Sequence, residues 1–353
     1  MSLSVNIIKR LPGFTLNVSL DAEAGVTALL GASGSGKSMT LRCIAGVERP
    51  DEGSIVLDGR VLYDSKAKID LPPQARRVGY LFQRYALFPS MTVLQNIDAG
   101  LSLERDARVR KGKRERLIER FHLIGLEHRL PRELSGGQMQ RVALCRMLAG
   151  EPEEILLDEP FAALDSHLRW QMEAEVKETL AGFSGVALLV SHDRGEVYRM
   201  SKRVCVLNAG KSEPPLETRA LFDHPRTLQT ALITGCKNCP PAEQISVDTV
   251  YVPQWNAKLA CLPDQAEHIT HIGIRAHYVA PIQSGAENAL FCSVVDAADD
   301  VFSRVLTLLP AGGTTTIRAD VSKTVGDTLQ IGSEAWFCLP KEHIMLLKET
   351  HEG

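Results

Sequence analysis

Apolar positions in this chain recur with two periods, and the period changes along its length. Near the start, short apolar runs set between turn residues predict strands at 5–9, 14–20 and 54–57, with Asp58-Gly59 turning into a further strand at 60–63. Residues 26–30 form a compact apolar run that ends in a glycine-rich loop, and a helical pattern follows at 39–45. Residues 92–130 read as helical, including the charged stretch 104–120, where Glu104, Asp106, Glu115 and Glu119 interleave with the arginines and lysines of a solvated helix face. From Leu134 helix and apolar strand alternate: a helix to Gly150, a strand at 154–158, a helix at about 166–181, a strand at 186–191, another helix, and a strand at 204–207 before the Asn208-Ala209-Gly210 turn. Such alternation predicts a mainly parallel sheet covered by helices.

The pattern shifts at Gly235 to Pro241, a GCKNCPP stretch. Beyond it lie short strand-like runs at 289–295, 304–309, 314–321 and 334–339, with Gly312-Gly313 as a hairpin tip. Two domains are expected, 1–235 and 236–353, the second small, β-rich and barrel-like; 353 residues suffice for both to bury a core. The longest apolar runs are too short to cross a bilayer, and the first ten residues lack a secretory signal. A formal charge of −3 gives no global attraction to nucleic acid, so any polyanion has to be held locally. Eight scattered cysteines fit a reducing cytoplasm with free thiols.

Three local patterns carry chemistry. The loop Gly31-Ala32-Ser33-Gly34-Ser35-Gly36-Lys37-Ser38, between predicted strand and helix with Met39 opening the helical run, fits the phosphate-binding pattern. Its glycines let successive amides and a helix N-terminus face an anion, Lys37 would contact the β and γ phosphates of ATP, and Ser38 would offer its hydroxyl to Mg²⁺. Alone, the loop says only nucleotide. The run Ile155-Leu156-Leu157-Asp158-Glu159 delivers two carboxylates at a strand end, Asp158 to hold Mg²⁺ and Glu159 to polarise an attacking water, unless both are plain surface acids. The third pattern is Leu134-Ser135-Gly136-Gly137-Gln138, followed by Gln140-Arg141.

That third pattern resembles the signature of the ABC ATPase family. Gln83, Ala163-Leu164-Asp165 and His192 in Val190-Ser191-His192-Asp193 stand in the order that family has, over about residues 1–235. The resemblance implies an α/β P-loop cassette with an antiparallel β edge and a helical subdomain at about 84–150. It implies a head-to-tail homodimer in which Ser135, Gly136, Gly137 and Gln138 close on the γ-phosphate held by the other subunit. It gives His192 the γ-phosphate, Gln83 the metal and water, and Asp165 communication across the dimer seam. Residues 85–91 fall where the family docks its permease. Phe14 stands where an aromatic ring stacks on adenine, though it reads equally as strand core.

No membrane helices are fused to the cassette, which points to an importer ATPase on the cytoplasmic face of the membrane, working with a separate permease and, indirectly, a substrate-binding protein. ABC ATPases that act on DNA or ribosomes carry a long coiled coil or two cassettes; neither occurs in this sequence, and no nucleic-acid partner is expected. The tail is similar to the accessory modules of molybdate/sulfate-type importers, through Asn288-Ala289-Leu290, Ser322-Lys323 and Trp336 to Leu347. Molybdate or tungstate is the first cargo this implies, with sulfate, iron, polyamine or sugar as alternatives. One departure stands out: Gly285-Ala286-Glu287-Asn288 replaces a Ser-Ile-Arg-Asn run and puts a negative charge where an oxyanion would sit. Cys236-Lys237-Asn238-Cys239 has the spacing of a redox or metal pair, but no second pair at metal-ligand spacing accompanies it, so zinc is not expected.

Overall fold

In strand β1 (Ser2–Leu11) Leu3, Val5 and Ile7 are buried, and in β2 (Phe14–Glu23) so are Leu16, Val18, Leu20 and Ala22. The period of two puts these side chains on one face, and the strands pair antiparallel with that face in the first core. The computed structural model describes residues 1–162, 164–263 and 268–349. The chain divides into two compact units, Met1–Thr218 and Arg219–Gly353.

The first unit continues with β3 (Gly25–Leu30), α1 (Lys37–Ala45), β4 (Glu52–Leu57), β5 (Arg60–Asp64), β6 (Ile69–Asp70), α2 (Pro73–Arg76) and β7 (Val78–Leu81). Then come α3 (Val93–Gly100), α4 (Ala107–Arg120), α5 (Gly136–Ala149), β8 (Glu154–Asp158), α6 (Ser166–Ala181), β9 (Val186–Val190), α7 (Arg194–Met200), β10 (Arg203–Asn208), β11 (Lys211–Ser212) and β12 (Leu216–Glu217). One sheet runs β6-β5-β4-β1-β2-β11-β10-β3-β9-β8-β7, with β12 on β10. Its β6 to β2 end is antiparallel, its β10 to β7 end is parallel, and β11 joins the two. Every residue of β8 and β9 is buried, as a parallel strand covered on both faces requires.

Residues 92–130 are not continuously helical. The first amides of α3 find partners outside the helix, Val93 N–H on the Arg129 carbonyl at 2.9 Å and Leu94 N–H on the Glu127 carbonyl at 3.0 Å. That use of its backbone keeps 127–129 out of a helix. Farther along, Asp106 caps and restarts the chain as α4. The cations of α4 are largely paired, Arg114 with Asp98 at 2.8 Å and Lys113 with Glu151 at 2.9 Å.

The second unit comprises α8 (Thr218–Asp223), whose first residue closes the first unit, α9 (Leu228–Ile233), β13 (Glu243–Ser246), β14 (Thr249–Val252), β15 (Ala257–Ala260), β16 (His271–Gly273) and β17 (Ala280–Ile282). β18 (Ala289–Asp299), β19 (Ser303–Pro310), β20 (Ile317–Ser322), α10 (Lys323–Gly326), β21 (Glu334–Cys338) and β22 (Met345–Leu347) complete it. The β-rich domain is built as three antiparallel sheets, β17-β21-β18-β19-β20, β13-β14-β15 and β16-β22, around a single core that includes Trp255, Phe337 and Leu306. The division falls before α9, earlier than residue 235, because Leu228 and Ala231 of that helix pack with Cys236, Met345 and Leu347. Glu287 pairs with Lys341 at 3.0 Å, and Asn288 bridges the Ala260 backbone and the Leu339 carbonyl.

Candidate active site

The loop after β3 is shaped by close approach. A Cβ at Gly31 would lie 2.2 Å from the Leu207 carbonyl, and one at Gly36, where φ is 104°, would lie 2.4 Å from Leu16 Cδ1. Only glycine fits either place, so the loop wraps tightly onto the N-terminus of α1. Lys37 curls over it, donating to the carbonyls of Gly31 and Ala32 at 2.8 and 2.9 Å. Burial lowers the pKa of that ammonium, while the charges of Glu159 and Asp158 act to raise it. Ser33, Gly34, Gly36, Lys37, Ser38 and Met39 line a cleft of about 360 Å³. Phe14 lines it too, and also packs against the core. Ser35 is buried, its hydroxyl without a hydrogen-bond partner.

β8 delivers the two carboxylates to this cleft. Ser38 Oγ donates to Asp158 Oδ1 at 2.7 Å, and the Tyr80 hydroxyl donates to Asp158 Oδ2 at 2.9 Å. Burial, with the Asp158 charge, pushes the Tyr80 phenol upward and keeps it a donor. A serine hydroxyl against a carboxylate is a donor set of hard oxygens that fits Mg²⁺, whose shell is completed by phosphate and water. Glu159, one residue on, has a φ of 47°, which costs an L-residue roughly 1–2 kcal/mol. Gln83 Nε2 donates to Glu159 Oε2 at 2.7 Å, and His192 Nδ1 lies 3.3 Å from Glu159 Oε1. The three residues assigned to hydrolysis from sequence therefore meet at one carboxylate.

The signature residues sit elsewhere. Ser135 is the N-cap of α5: its hydroxyl accepts from Gln138 N–H at 3.3 Å, and the Gln138 side chain accepts from Ser135 N–H at 2.9 Å. Ser135 is exposed, Gly136 and Gln138 are half-buried, and Gly137 is buried against Leu168. Asp165 caps α6 by accepting from Leu168 N–H at 2.9 Å. Ala163 of the same element lies outside the described residues.

Sequence reasoning missed the residues that hold these parts in place. Arg76 is fully buried and caps the far end of α1, donating to the carbonyls of Cys43 and Ile44 at 2.9 and 2.8 Å. Arg146 of α5 donates to the Tyr85 and Ala86 carbonyls at 2.9 and 2.8 Å and lies 5.1 Å over the Phe88 ring. Tyr85 and Ala86 both have positive φ, 59° and 45°. Asn96 of α3 fixes the rest of that segment through the Phe88 backbone and the Met91 carbonyl. Phe88 and Met91 stay 45% and 37% exposed on this clamped loop. These contacts span long sequence separations that no local spacing displays. Among the described residues no helix is long and apolar enough to cross a membrane.

The profile of the ABC transporter family matches residues 15–162. The molybdenum import ATP-binding protein ModC of Paramagnetospirillum magneticum is 42% identical over 218 residues, 61% of this chain and 60% of that protein. The Fe(3+) ions import ATP-binding protein FbpC of Brucella abortus is 40% identical over 249 residues, 69% of this chain and 68% of that protein. Among solved structures, a dimeric ATP-binding cassette in a post-hydrolysis state bound to ADP and Pi is similar at a TM-score of 0.53 and 28% identity. That match covers 62% of this chain and 99% of the other. The chain thus aligns with less than two thirds of the ModC relative's length.

Proposed function

This chain belongs to the ABC transporter family, and from that premise we propose that it is the ATP-hydrolysing subunit of an importer. It works as a head-to-tail homodimer on the cytoplasmic face of the membrane, beneath a separate permease. The observation that carries the reading is the convergence of Gln83 and His192 on Glu159, beside the Ser38–Asp158 pair and Lys37.

The residues divide the work. The loop amides and Lys37 bind the β and γ phosphates, turning outward the charge that now faces the Gly31 and Ala32 carbonyls. Ser38 and Asp158 would hold Mg²⁺, which neutralises phosphate charge. Glu159 accepts a hydrogen bond from the attacking water and draws its proton, while Gln83 and His192 fix the carboxylate from both sides. Ser135 and the amides that follow it, at a helix N-terminus and exposed, suit the γ-phosphate of a second subunit's ATP. The clamped loop with Phe88 and Met91 exposed suits a docking surface for the permease.

Molybdate or tungstate is the cargo we assign first, on the likeness of the tail to the accessory modules of molybdate-type importers. Relatives named for molybdenum and iron import differ by only two points of identity, 42% against 40%, so likeness of the cassette does not distinguish these cargoes. Phosphate release by the purified chain with Mg²⁺-ATP, alone, with membranes carrying the cognate permease, and with DNA, tests the reading. Stimulation by the permease supports it. Stimulation by DNA alone, or no hydrolysis under any condition, overturns it.

A further inference from the structure

One pair of side chains lies outside everything above. The segment after α9 turns at Gly235, where φ is 100°, and brings Cys236 and Cys239 together as free thiols, Cys239 packed against the cluster that Cys236 forms with Ala231, Met345 and Leu347. Cys236 is 1% exposed, whereas Cys239 is only half-buried and opens the pair to solvent. Arg275 places its guanidinium near them, held by donating to the Thr234 carbonyl at 3.0 Å and to the Phe222 carbonyl. Between the two cysteines, Asn238 exchanges two hydrogen bonds with the Arg318 backbone, at 2.9 and 2.8 Å. The pair thus flanks a fastening between this segment and β20.

We propose that Cys236 and Cys239 are a redox modification site, a dithiol that closes reversibly into a disulfide by exchange with low-molecular-weight disulfides such as glutathione disulfide. The other six cysteines show what sets the pair apart. Burial pushes Cys43, Cys205 and Cys292 up to about 12 and raises Cys145, Cys261 and Cys338. Cys236 alone is shifted downward, first by the hydrogen bond from Cys239, against the effect of burial, and further by the Arg275 charge. The same hydrogen bond, with burial, raises Cys239, so of the two thiols Cys236 is the readier to ionise.

The exchange balances. Ionised Cys236 takes the proton of Cys239 as that sulfur attacks, and its Sγ, 3.3 Å from the Ile274 carbonyl, can then donate to it. The half-buried Cys239 thiolate attacks a sulfur of the glutathione disulfide, forming a mixed disulfide and releasing one glutathione thiolate. Cys236 gives up its proton to solvent and attacks the Cys239 sulfur, releasing the second glutathione thiolate. Two protein thiols are oxidised, one external disulfide is reduced, and excess glutathione reverses both steps. Closure acts on the residues on either side of Asn238, and so on its bonds to Arg318.

The test uses the full-length chain, reduced, freed of reductant and equilibrated in glutathione buffers of rising oxidation, then acid-quenched, alkylated and mapped by peptide mass. The peptide holding Cys236 and Cys239 is expected to lose two hydrogens and escape alkylation, and glutathione should restore it. Cys338, the other partly exposed thiol, forms at most a mixed disulfide. Cys239→Ser removes the disulfide and, in parallel, the tight uptake of phenylarsine oxide, which needs two neighbouring thiols. The proposal fails if both cysteines alkylate fully in the most oxidised buffer, a result the wild-type chain gives by itself. It also fails if Cys239→Ser takes up the arsenical as the wild type does.

Discussion

The first unit carries two helix N-termini built as anion cradles, and they are finished to different degrees. At α1 the glycine loop, Lys37, Ser38, Asp158, Glu159, Gln83 and His192 are joined by contacts of 2.7 to 3.3 Å, and the ammonium is buried. At α5 the cradle consists of Ser135 and the amides behind it, exposed, with no lysine in the run and with its hydroxyl and Gln138 satisfying each other. Both use the same helix-terminal charge. On the proposed reading the first holds a triphosphate with its own residues; the second, which has the polarity for a phosphate but lacks the cation and carboxylates, is completed by another molecule.

That difference can be broken or sharpened by substitution. The largest effect is expected at Lys37→Ala, which removes charge-assisted bonds to two phosphates and should weaken Mg²⁺-ATP binding by on the order of 100-fold or more, read by titration with a fluorescent nucleotide. Next comes the strand that supplies the carboxylates. Its first residue, Glu154, is fully buried with neither carboxylate oxygen hydrogen-bonded, and burial raises its pKa from 4.5 to about 8. Because the folded-state pKa lies above the unfolded one, the protonated fold is favoured at low pH. Stability is then lost as pH rises from 4.5 through about 8. Glu154→Gln should abolish that slope, gaining on the order of 3 kcal/mol at pH 7 in urea unfolding followed against pH.

A smaller effect belongs to Arg146→Leu. Losing its bonds to the Tyr85 and Ala86 carbonyls should cost roughly 2 kcal/mol of stability and lower kcat more than ATP affinity, since the Gln83 segment loosens while the phosphate loop does not. The smallest is Ser135→Ala, about 1 kcal/mol of helix capping. It should leave nucleotide binding by the isolated chain intact and slow turnover only where two chains meet. Equal loss of binding in Ser135→Ala and Lys37→Ala would erase the distinction between the cradles.

How much of this was readable beforehand follows from how local each feature is. The bounds 154–158 and 166–181 read from sequence coincide with β8 and α6, the latter set off by the Asp165 cap. β7 escaped notice, because four residues with a glycine inside give no period to read. In the second unit β13 to β17 and β22 are three or four residues each, and their pairings are set by tertiary contacts. The residues of the site were legible where the chemistry lies within one motif. Tyr80, Arg76, Arg146 and Asn96 were not, since what each does depends on the carbonyl or carboxylate that folding brings to it.

The account turns on Glu159 as the group that takes the proton of the attacking water. Replacing it by glutamine keeps the shape and a hydrogen-bonding side chain but removes the base. ATP affinity and single-site turnover should therefore be measured together on the wild type and Glu159→Gln. Unchanged affinity with turnover lower by roughly 100- to 10,000-fold is the predicted result. Turnover equal to that of the wild type would contradict the assignment and leave the cleft at α1 as a nucleotide-binding site whose base lies elsewhere.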